Sequence, residues 1–479
     1  MQDQIKKNTN CRICKSNNLQ KVISLGEMPP ANAFLKKEEL DAKEPSFPLE
    51  VYFCKNCAFV QLIDIVNPEL LFRNYIYVSS TSPVFIQHFK ELADKISAQF
   101  KFPKNSLVVD IGSNDGILLK PFKDMGMKVL GIDPAEKIAE MATKSGIETL
   151  PVFFSADVAK DIAKKKGKAK LVSATSVFSH VDDLDEFLNG VKELLDDDGV
   201  FLIEVYYLKE LLEKNLFDTI YHEHLSYFTA KTMSALMERK GLELFDVEAT
   251  DTHGGSLRAY VQKKGGKHHI SKAVKEFIQR EDERKFHELS TYVKFSQKID
   301  SNKKALLELL KKLKSQNKRI VGYGAPAKGN TLLNYFGIGN NILDYIVDDS
   351  AWKQGLYSPG MHIPVVSADY LSKRKPDYIF ILAWNFAKPI MKKLSDFDMS
   401  GIKDFPTSQE NLFFDKFIIP VPVPSIVSSI VEQDLEEICS AIKEEAKKLE
   451  GRTVLVTGGS GFIGSYIVAV IDRLNMEYF

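Results

Sequence analysis

Three times in this chain a short apolar run ends in a glycine-rich turn and opens a helix. The first is Leu107-Val108-Val109-Asp110-Ile111, then Gly112-Ser113-Asn114-Asp115-Gly116, then Ile117-Leu118-Leu119. The second runs from Arg319-Ile320-Val321-Gly322-Tyr323 through Gly324 to Gly329 and into Asn330-Thr331-Leu332-Leu333. The third is Thr453-Val454-Leu455-Val456 followed by Thr457-Gly458-Gly459-Ser460-Gly461-Phe462-Ile463-Gly464. Apolar runs of this length, bounded by turn residues, read as strands covered on both faces. Further strands follow the first turn (Val129–Ile132, Leu171–Ser176, Val200–Val205) and the second (Asp344–Val347, Tyr378–Leu382). Strands alternating with helices predict α/β units with open, mostly parallel sheets and sites at the strands' carboxyl ends.

The three turns suit different ligands. In the first, Gly112, Ser113 and Gly116 allow close backbone approach, and Asn114 tolerates a left-handed conformation. Asp110 would repel a pyrophosphate at this helix start but pair with an amino group. S-adenosylmethionine has such a group and no phosphate. Asp133, at the next strand end, can take two ribose hydroxyls. A dinucleotide or a purely structural turn are the competing readings. In the second, Gly322-x-Gly324-x-x-Ala327 with Asp348 fits a dinucleotide fingerprint, while Pro326 removes a donor and Lys328 adds a cation suited to phosphate. It reads as a nucleotide or diphosphate site, with structural mimicry as the alternative. The third, Gly458-x-x-Gly461-x-x-Gly464, matches a nucleotide-binding loop best. Yet the sequence stops at Phe479, without a second strand or a Tyr/Lys pair for hydride chemistry. It is expected not to work as a dehydrogenase, and a truncated fusion is its expected origin.

Cys11-x-x-Cys14 and Cys54-x-x-Cys57 are two knuckles whose spacing fits tetrahedral zinc. Four thiolates leave no position for a reacting water, so the metal is expected to be structural. Cys439 has no assigned role. The 479 residues predict roughly three domains of ~150 residues. The 64 basic and 64 acidic residues cancel, so no global field would draw in nucleic acid or an anionic membrane. The first residues lack an apolar signal core, and Pro420, Pro422 and Pro424 interrupt the apolar stretch from Phe417 to Val431. A soluble, cytoplasmic protein is expected. The run from Lys267 to Arg319 lacks Gly and Pro and is heavily charged. It predicts one or two linking helices with solvated faces.

The densest chemistry lies in Tyr221-His222-Glu223-His224-Leu225-Ser226-Tyr227, with two imidazoles, a carboxylate and two phenols. An imidazole can exchange a proton near neutral pH, a carboxylate can orient it, and a phenol can hydrogen-bond an oxyanion. That set suits proton abstraction beside a carbonyl. The competing reading is a loop whose polar groups satisfy each other.

These segments together resemble the sugar C-methyltransferases that act on nucleotide-linked keto-deoxysugars. The resemblance covers about residues 11–424. It is carried by the cysteine knuckles, Leu25-Gly26-Glu27-Met28-Pro29, Val108 to Gly116, Val177-Phe178-Ser179-His180-Val181-Asp182-Asp183-Leu184, Tyr221 to Tyr227, Gly254-Gly255-Ser256-Leu257-Arg258, and Gly322 to Asn330. It implies a zinc-ribbon-like module (1–72), a class I, Rossmann-like S-adenosylmethionine methyltransferase domain (73–266), linking helices (267–318) and a second Rossmann-like domain (319–424) that helps hold the nucleotide-sugar. A linker helix (425–451) and a fragment resembling the start of an extended short-chain epimerase or dehydratase (452–479) complete the expectation. The resemblance assigns the general base to His224, with Glu223 orienting an imidazole and Tyr221, His180 and Tyr75 steadying the enolate oxygen or sugar hydroxyls. Pro134 and Ser176 join Asp110, Gly112, Ser113, Asn114, Gly116 and Asp133 at the cofactor. Tyr77, Gly322, Gly324, Lys328 and Asn330 are expected at the substrate, and zinc stays out of the chemistry. The family usually has Asn in place of Ser176 and Pro in place of Tyr206. The first departure bears on a cofactor hydrogen bond and the second on the loop after Glu204. Neither is expected to touch the base. An RNA-modifying or other small-molecule methyltransferase with zinc knuckles, and a non-catalytic nucleotide-sugar scaffold, are the rival functions.

Overall fold

The computed structural model describes residues 4–73, 75, 78–81, 83–395, 417–421, 425–426 and 438. Tyr77, Cys439 and the fragment 452–479 lie outside the described residues. So does nearly all of the expected linker helix, whose first residues, Ser425–Ile426, form an edge strand instead.

Among the described residues the central sheet has seven strands, in the order Leu242–Thr250, Ser256–Lys263, Leu195–Tyr206, Ala169–Thr175, Leu107–Ile111, Lys128–Ile132 and Thr149–Leu150. All neighbours from Leu195–Tyr206 to Thr149–Leu150 pair in parallel, while Ser256–Lys263 runs antiparallel to both its neighbours. Every residue of Leu107–Ile111 is buried, as an apolar run enclosed by helices requires. The chain winds from Leu107–Ile111 outward to Thr149–Leu150, then returns to place Ala169–Thr175 on the other side. That reversal opens a crevice at the carboxyl ends, where Asp110 and Ser176 sit. Residues Ile320–Tyr323, Leu343–Val347, Val365–Val366, Tyr378–Ile381 and Phe417–Ile419 build a second parallel sheet, which Ser425–Ile426 closes antiparallel.

The N-terminal sheet is antiparallel: Leu19–Met28, Phe47–Cys54 and Val60–Leu62, completed by Ser226–Tyr227. Its edge strand is therefore the end of the histidine-rich segment, which lies far along the chain. The cores follow the same logic. One apolar cluster joins Leu49 and Val51 of this sheet to Phe217, Ile220 and Leu225, and to Leu343 and Phe380 of the C-terminal sheet. A second joins Cys11, Cys54 and Phe59 to Val109, Phe178 and Phe228.

The charged run after Lys267 forms two helices, Lys272–Glu283 and Leu289–Ser315. Tyr292, Phe295, Ile299, Asn302, Leu306, Leu310 and Leu313 recur at three- and four-residue spacing on the second; all are buried, the apolar six in the shared core. The expected linking helices have their solvated faces, and the charged composition concealed one apolar stripe beside them.

Candidate functional site

The crevice is a cavity of about 480 Å³, within the range of small-molecule sites. The first glycine turn forms one wall. Gly112 has φ 71°, and a Cβ there would stand 2.2 Å from Val177 Cγ2, so only glycine fits. Asn114 takes the left-handed conformation expected of it, at φ 49°. Its N–H donates to Asp133 Oδ2 at 2.8 Å, and its own Oδ1 accepts the Ser79 N–H at 2.9 Å. Asp133 Oδ1 accepts the Ala135 N–H at 2.9 Å. Asp110 is 2% exposed and accepts the Ser173 hydroxyl at 2.7 Å. Burial pushes its carboxyl up to about 7, against the opposing Ser173 bond and with the help of Asp133's charge. Burial also raises Asp133. A carboxylate held this way favours a cationic partner inside the cavity.

Asp110, Gly112, Ser113, Asn114, Asp133, Pro134 and Ser176 all line this cavity. Gly116 does not: it is a buried turn residue at φ 81°, packed against Ile147.

The same cavity is lined by Tyr75, His180, Tyr221 and His224. His224 is 3% exposed, and its Nδ1 meets the Thr219 carbonyl at 2.6 Å. A carbonyl only accepts, so Nδ1 carries the hydrogen, which in the neutral ring leaves the lone pair on Nε2. The orienting partner is therefore a backbone carbonyl. Glu223, expected in that role, does not line the cavity and instead accepts Asn32 Nδ2 at 2.6 Å and the Tyr75 hydroxyl at 3.3 Å, two residues that do. Burial raises its carboxyl to about 7, opposed by those two bonds. His222 is bonded through Nε2 to the Phe47 carbonyl at 3.2 Å, edge-on to the Phe47 ring. Burial lowers it to about 4, so it is a neutral strut to the N-terminal sheet. The adjacent imidazoles thus have separate surroundings.

His180 stacks on His224 with centroids 5.2 Å apart and on Phe72 at 5.4 Å. Burial lowers His180 to about 4, and its buried Nε2 has no hydrogen-bond partner among the described residues. Tyr221 lies 3.9 Å, centroid to centroid, from His224. Tyr206 lies 4.7 Å from it, and its phenol interacts with that of Tyr221. The departure at position 206 therefore does touch the His224 ring, contrary to expectation. The strand carries on through Tyr206, opposite Ser256, and beneath it Glu204 faces Arg258 in a buried cross-strand ion pair with 2.7 Å contacts.

The helix Ala327–Phe336, which follows the second glycine turn, contributes Lys328 to the cavity. Its ammonium bonds Asn385 Oδ1 and lies 4.0 Å over the Trp384 ring, while Trp384 Nε1 donates to Asp218 at 2.6 Å. Burial lowers Lys328 and raises Asp218. Lys353, which nothing in the local sequence marks, lines the same end, 9% exposed and bonded to the Ala325 carbonyl at 2.8 Å. Gly322, Gly324 and Asn330 do not line the cavity. Gly322 packs against Ile346 and Leu382, Gly324 against Ala383, and Asn330 Nδ2 holds the Ala31 carbonyl at 2.8 Å. A second cavity, of about 810 Å³, shares Phe85, Asn385 and Phe386 with the first.

The sulfurs of Cys11, Cys14, Cys54 and Cys57 all lie within 4.8 Å of one another. Cys11 and Cys57 are 3.6 Å apart, Cys14 and Cys54 3.5 Å. Zinc–sulfur bonds of about 2.3 Å in a tetrahedron require sulfurs just under 4 Å apart, so the four residues fit the ion.

Residues 11–72 match a family described as a zinc binding domain, 85–247 a methyltransferase domain, and 251–405 a C-methyltransferase C-terminal domain. The C-methyltransferase NovU of Streptomyces niveus is 36% identical over 429 residues, which is 90% of this chain and 99% of that protein. A ubiquinone biosynthesis O-methyltransferase of Pelagibacter ubique is 27% identical over 147 residues, 30% of this chain and 60% of its own length. A solved S-adenosylmethionine-dependent methyltransferase from Anabaena variabilis covers 36% of this chain and 84% of its own, at 14% identity and a TM-score of 0.30. No helix among the described residues is long and apolar enough to cross a membrane.

Proposed function

The chain belongs to the C-methyltransferases, S-adenosylmethionine-dependent enzymes with a zinc-binding module, and from that premise we propose that it methylates the carbon beside a ring ketone of a nucleotide-linked deoxysugar. The observation that carries this reading is the convergence, in one cavity, of the Asp110 turn with His224 and its aromatic neighbours.

Asp110 is suited to the cofactor's amino group and Asp133 to its ribose. Gly112, Ser113, Asn114, Pro134 and Ser176 complete that wall. Bound S-adenosylmethionine supplies an electrophilic methyl group on a sulfonium. His224 Nε2 removes the hydrogen next to the ketone, and the electron pair moves onto the ketone oxygen. A positioned base contributes about 100- to 10,000-fold. Thr219 keeps the ring in the tautomer this step needs. The Tyr221 phenol is suited to hold the enolate oxygen, and Tyr75 and His180 to hold sugar hydroxyls. Glu223 fixes Asn32 and Tyr75 from behind rather than the base itself. Holding both reactants in one cavity is the larger contribution, since orientation replaces an encounter. Lys328, with Lys353 beside it, gives the far end two buried ammonium groups suited to a diphosphate. The second cavity beyond Asn385 and Phe386 offers room for the nucleotide.

The test is incubation with S-adenosylmethionine and a panel of nucleotide-linked ketosugars, read by mass spectrometry. One methylene mass added to a sugar nucleotide, with fragmentation placing it on a ring carbon, supports the reading. Methylation of RNA instead, or binding of sugar nucleotides without turnover, overturns it.

A further inference from the structure

Arg12 lies inside the first zinc knuckle, between Cys11 and Cys14, with its side chain 2% exposed. Its contacts lead away from the metal. Nη1 donates to the Leu62 carbonyl, to Gln61 Oε1 at 3.2 Å and, more weakly, to the Leu225 carbonyl at 3.4 Å. Nε donates to Asp182 Oδ1 at 3.1 Å. Leu225 directly follows His224, and Asp182 stands two residues beyond His180 and lines the cavity. Lys6 and Asn8 also reach Asp182, at 3.2 and 2.7 Å. The same three segments are laced together by backbone bonds: the Leu62 N–H to the Leu225 carbonyl and the Leu225 N–H to the Ser179 carbonyl, both at 2.9 Å.

One planar guanidinium thus spans the metal knuckle, the His180 segment and the His224 segment. Burying a charge is costly, and an apolar side chain of similar volume is often as stabilising. What an apolar side chain cannot supply is a rigid pair of donors, Nε and Nη1, that ties two backbone carbonyls and the Asp182 carboxylate at fixed separations. We infer that Arg12 is a positioning residue: it carries the rigidity of the zinc knuckle to the stacked His180 and His224 rings and so sets the aim of the base. The zinc module then acts on catalysis through geometry, with no metal contact to the substrate. This rests on the reading of His224 as the base.

The test follows hydrogen exchange in heavy water at the carbon beside the ketone of a nucleotide-linked keto-deoxysugar, with S-adenosylhomocysteine present so that no methyl transfer intervenes. Zinc content and S-adenosylhomocysteine affinity are measured on the same samples. Arg12→Met and Arg12→Lys are expected to slow exchange by on the order of 100-fold, the scale of a 1 Å misplacement, with zinc and affinity unchanged. Added guanidinium should restore some of the rate in Arg12→Ala. Wild-type exchange in Arg12→Lys, which keeps the charge but loses the fork, overturns the inference and decides the matter should Arg12→Met fail to fold. Parallel loss of zinc, affinity and exchange in Arg12→Lys also overturns it, by making Arg12 a folding residue only. A wild-type protein that exchanges nothing refutes the proposed reaction itself, and the role of Arg12 with it.

Discussion

The first and second glycine turns share one hydrogen-bond pattern and differ in what they face. Gly112 N–H meets the Ile132 carbonyl at 2.7 Å, and Gly324 N–H meets the Val347 carbonyl at 2.7 Å. At the end of the neighbouring strand, Asp133 accepts the N–H groups of Asn114 and Ala135, just as Asp348 accepts those of Ala325 and Ser350. In both turns the carboxylate placed like a ribose ligand also braces the loop. The turns diverge at the position two residues before the glycine. Asp110 there directs a buried carboxyl at the cavity, whereas a Cβ on Gly322 would stand 2.9 Å from Ile346 Cγ1 and 3.1 Å from Leu382 Cδ1. The motif reports the fold; the residue ahead of it and the packing above it decide whether a ligand fits.

The largest effect that would break this comparison comes from exchanging the two positions' fates. Asp110→Ala should weaken S-adenosylmethionine about 10- to 150-fold by calorimetry, the worth of a charge-assisted hydrogen bond. Gly322→Ala should leave that affinity unchanged and cost about 1–3 kcal/mol in denaturant unfolding through overpacking. Similar affinity losses in both would mean the turns are not distinct. The pH dependence sharpens the same point. Burial holds the free Asp110 carboxyl near 7, so the carboxylate is lost as pH falls through neutrality. Cofactor affinity should weaken below that point, by up to about tenfold per pH unit, and Asp110→Asn should flatten the slope. The second turn's own contribution is Lys328. Lys328→Met should raise KM for the nucleotide-sugar about tenfold or more while leaving cofactor affinity alone. The smallest effect belongs to Ser176, which sits at φ 59°. Asn bears that conformation better, so Ser176→Asn should stabilise the protein by up to about 1 kcal/mol in thermal unfolding. A lower Tm would contradict the backbone account of that position.

What could be read from the sequence was what the chain encodes locally. The cysteine spacing, the parallel strands and the Asp110 turn depend on neighbours a few residues apart, and the cavity brings the acid turn and the histidine segment together. Roles that depend on side-chain direction did not follow from adjacency. Glu223 and His224 are consecutive, yet one serves Asn32 and Tyr75 and the other takes the Thr219 carbonyl. Tyr206 meets the His224 ring from the last position of the strand Leu195–Tyr206. Lys353 and Arg12 enter the account only through tertiary packing. The helix Leu289–Ser315 was hidden by composition, although its buried residues keep a helical period.

The most direct measurement is made on His224→Asn, whose amide can still donate to the Thr219 carbonyl but has no Nε2. Heavy-water exchange beside the ketone and methyl transfer should both fall by about 100- to 10,000-fold, with S-adenosylmethionine affinity unchanged. Exchange at the wild-type rate in this variant would contradict His224 as the base, and with it the chemistry assigned to the cavity.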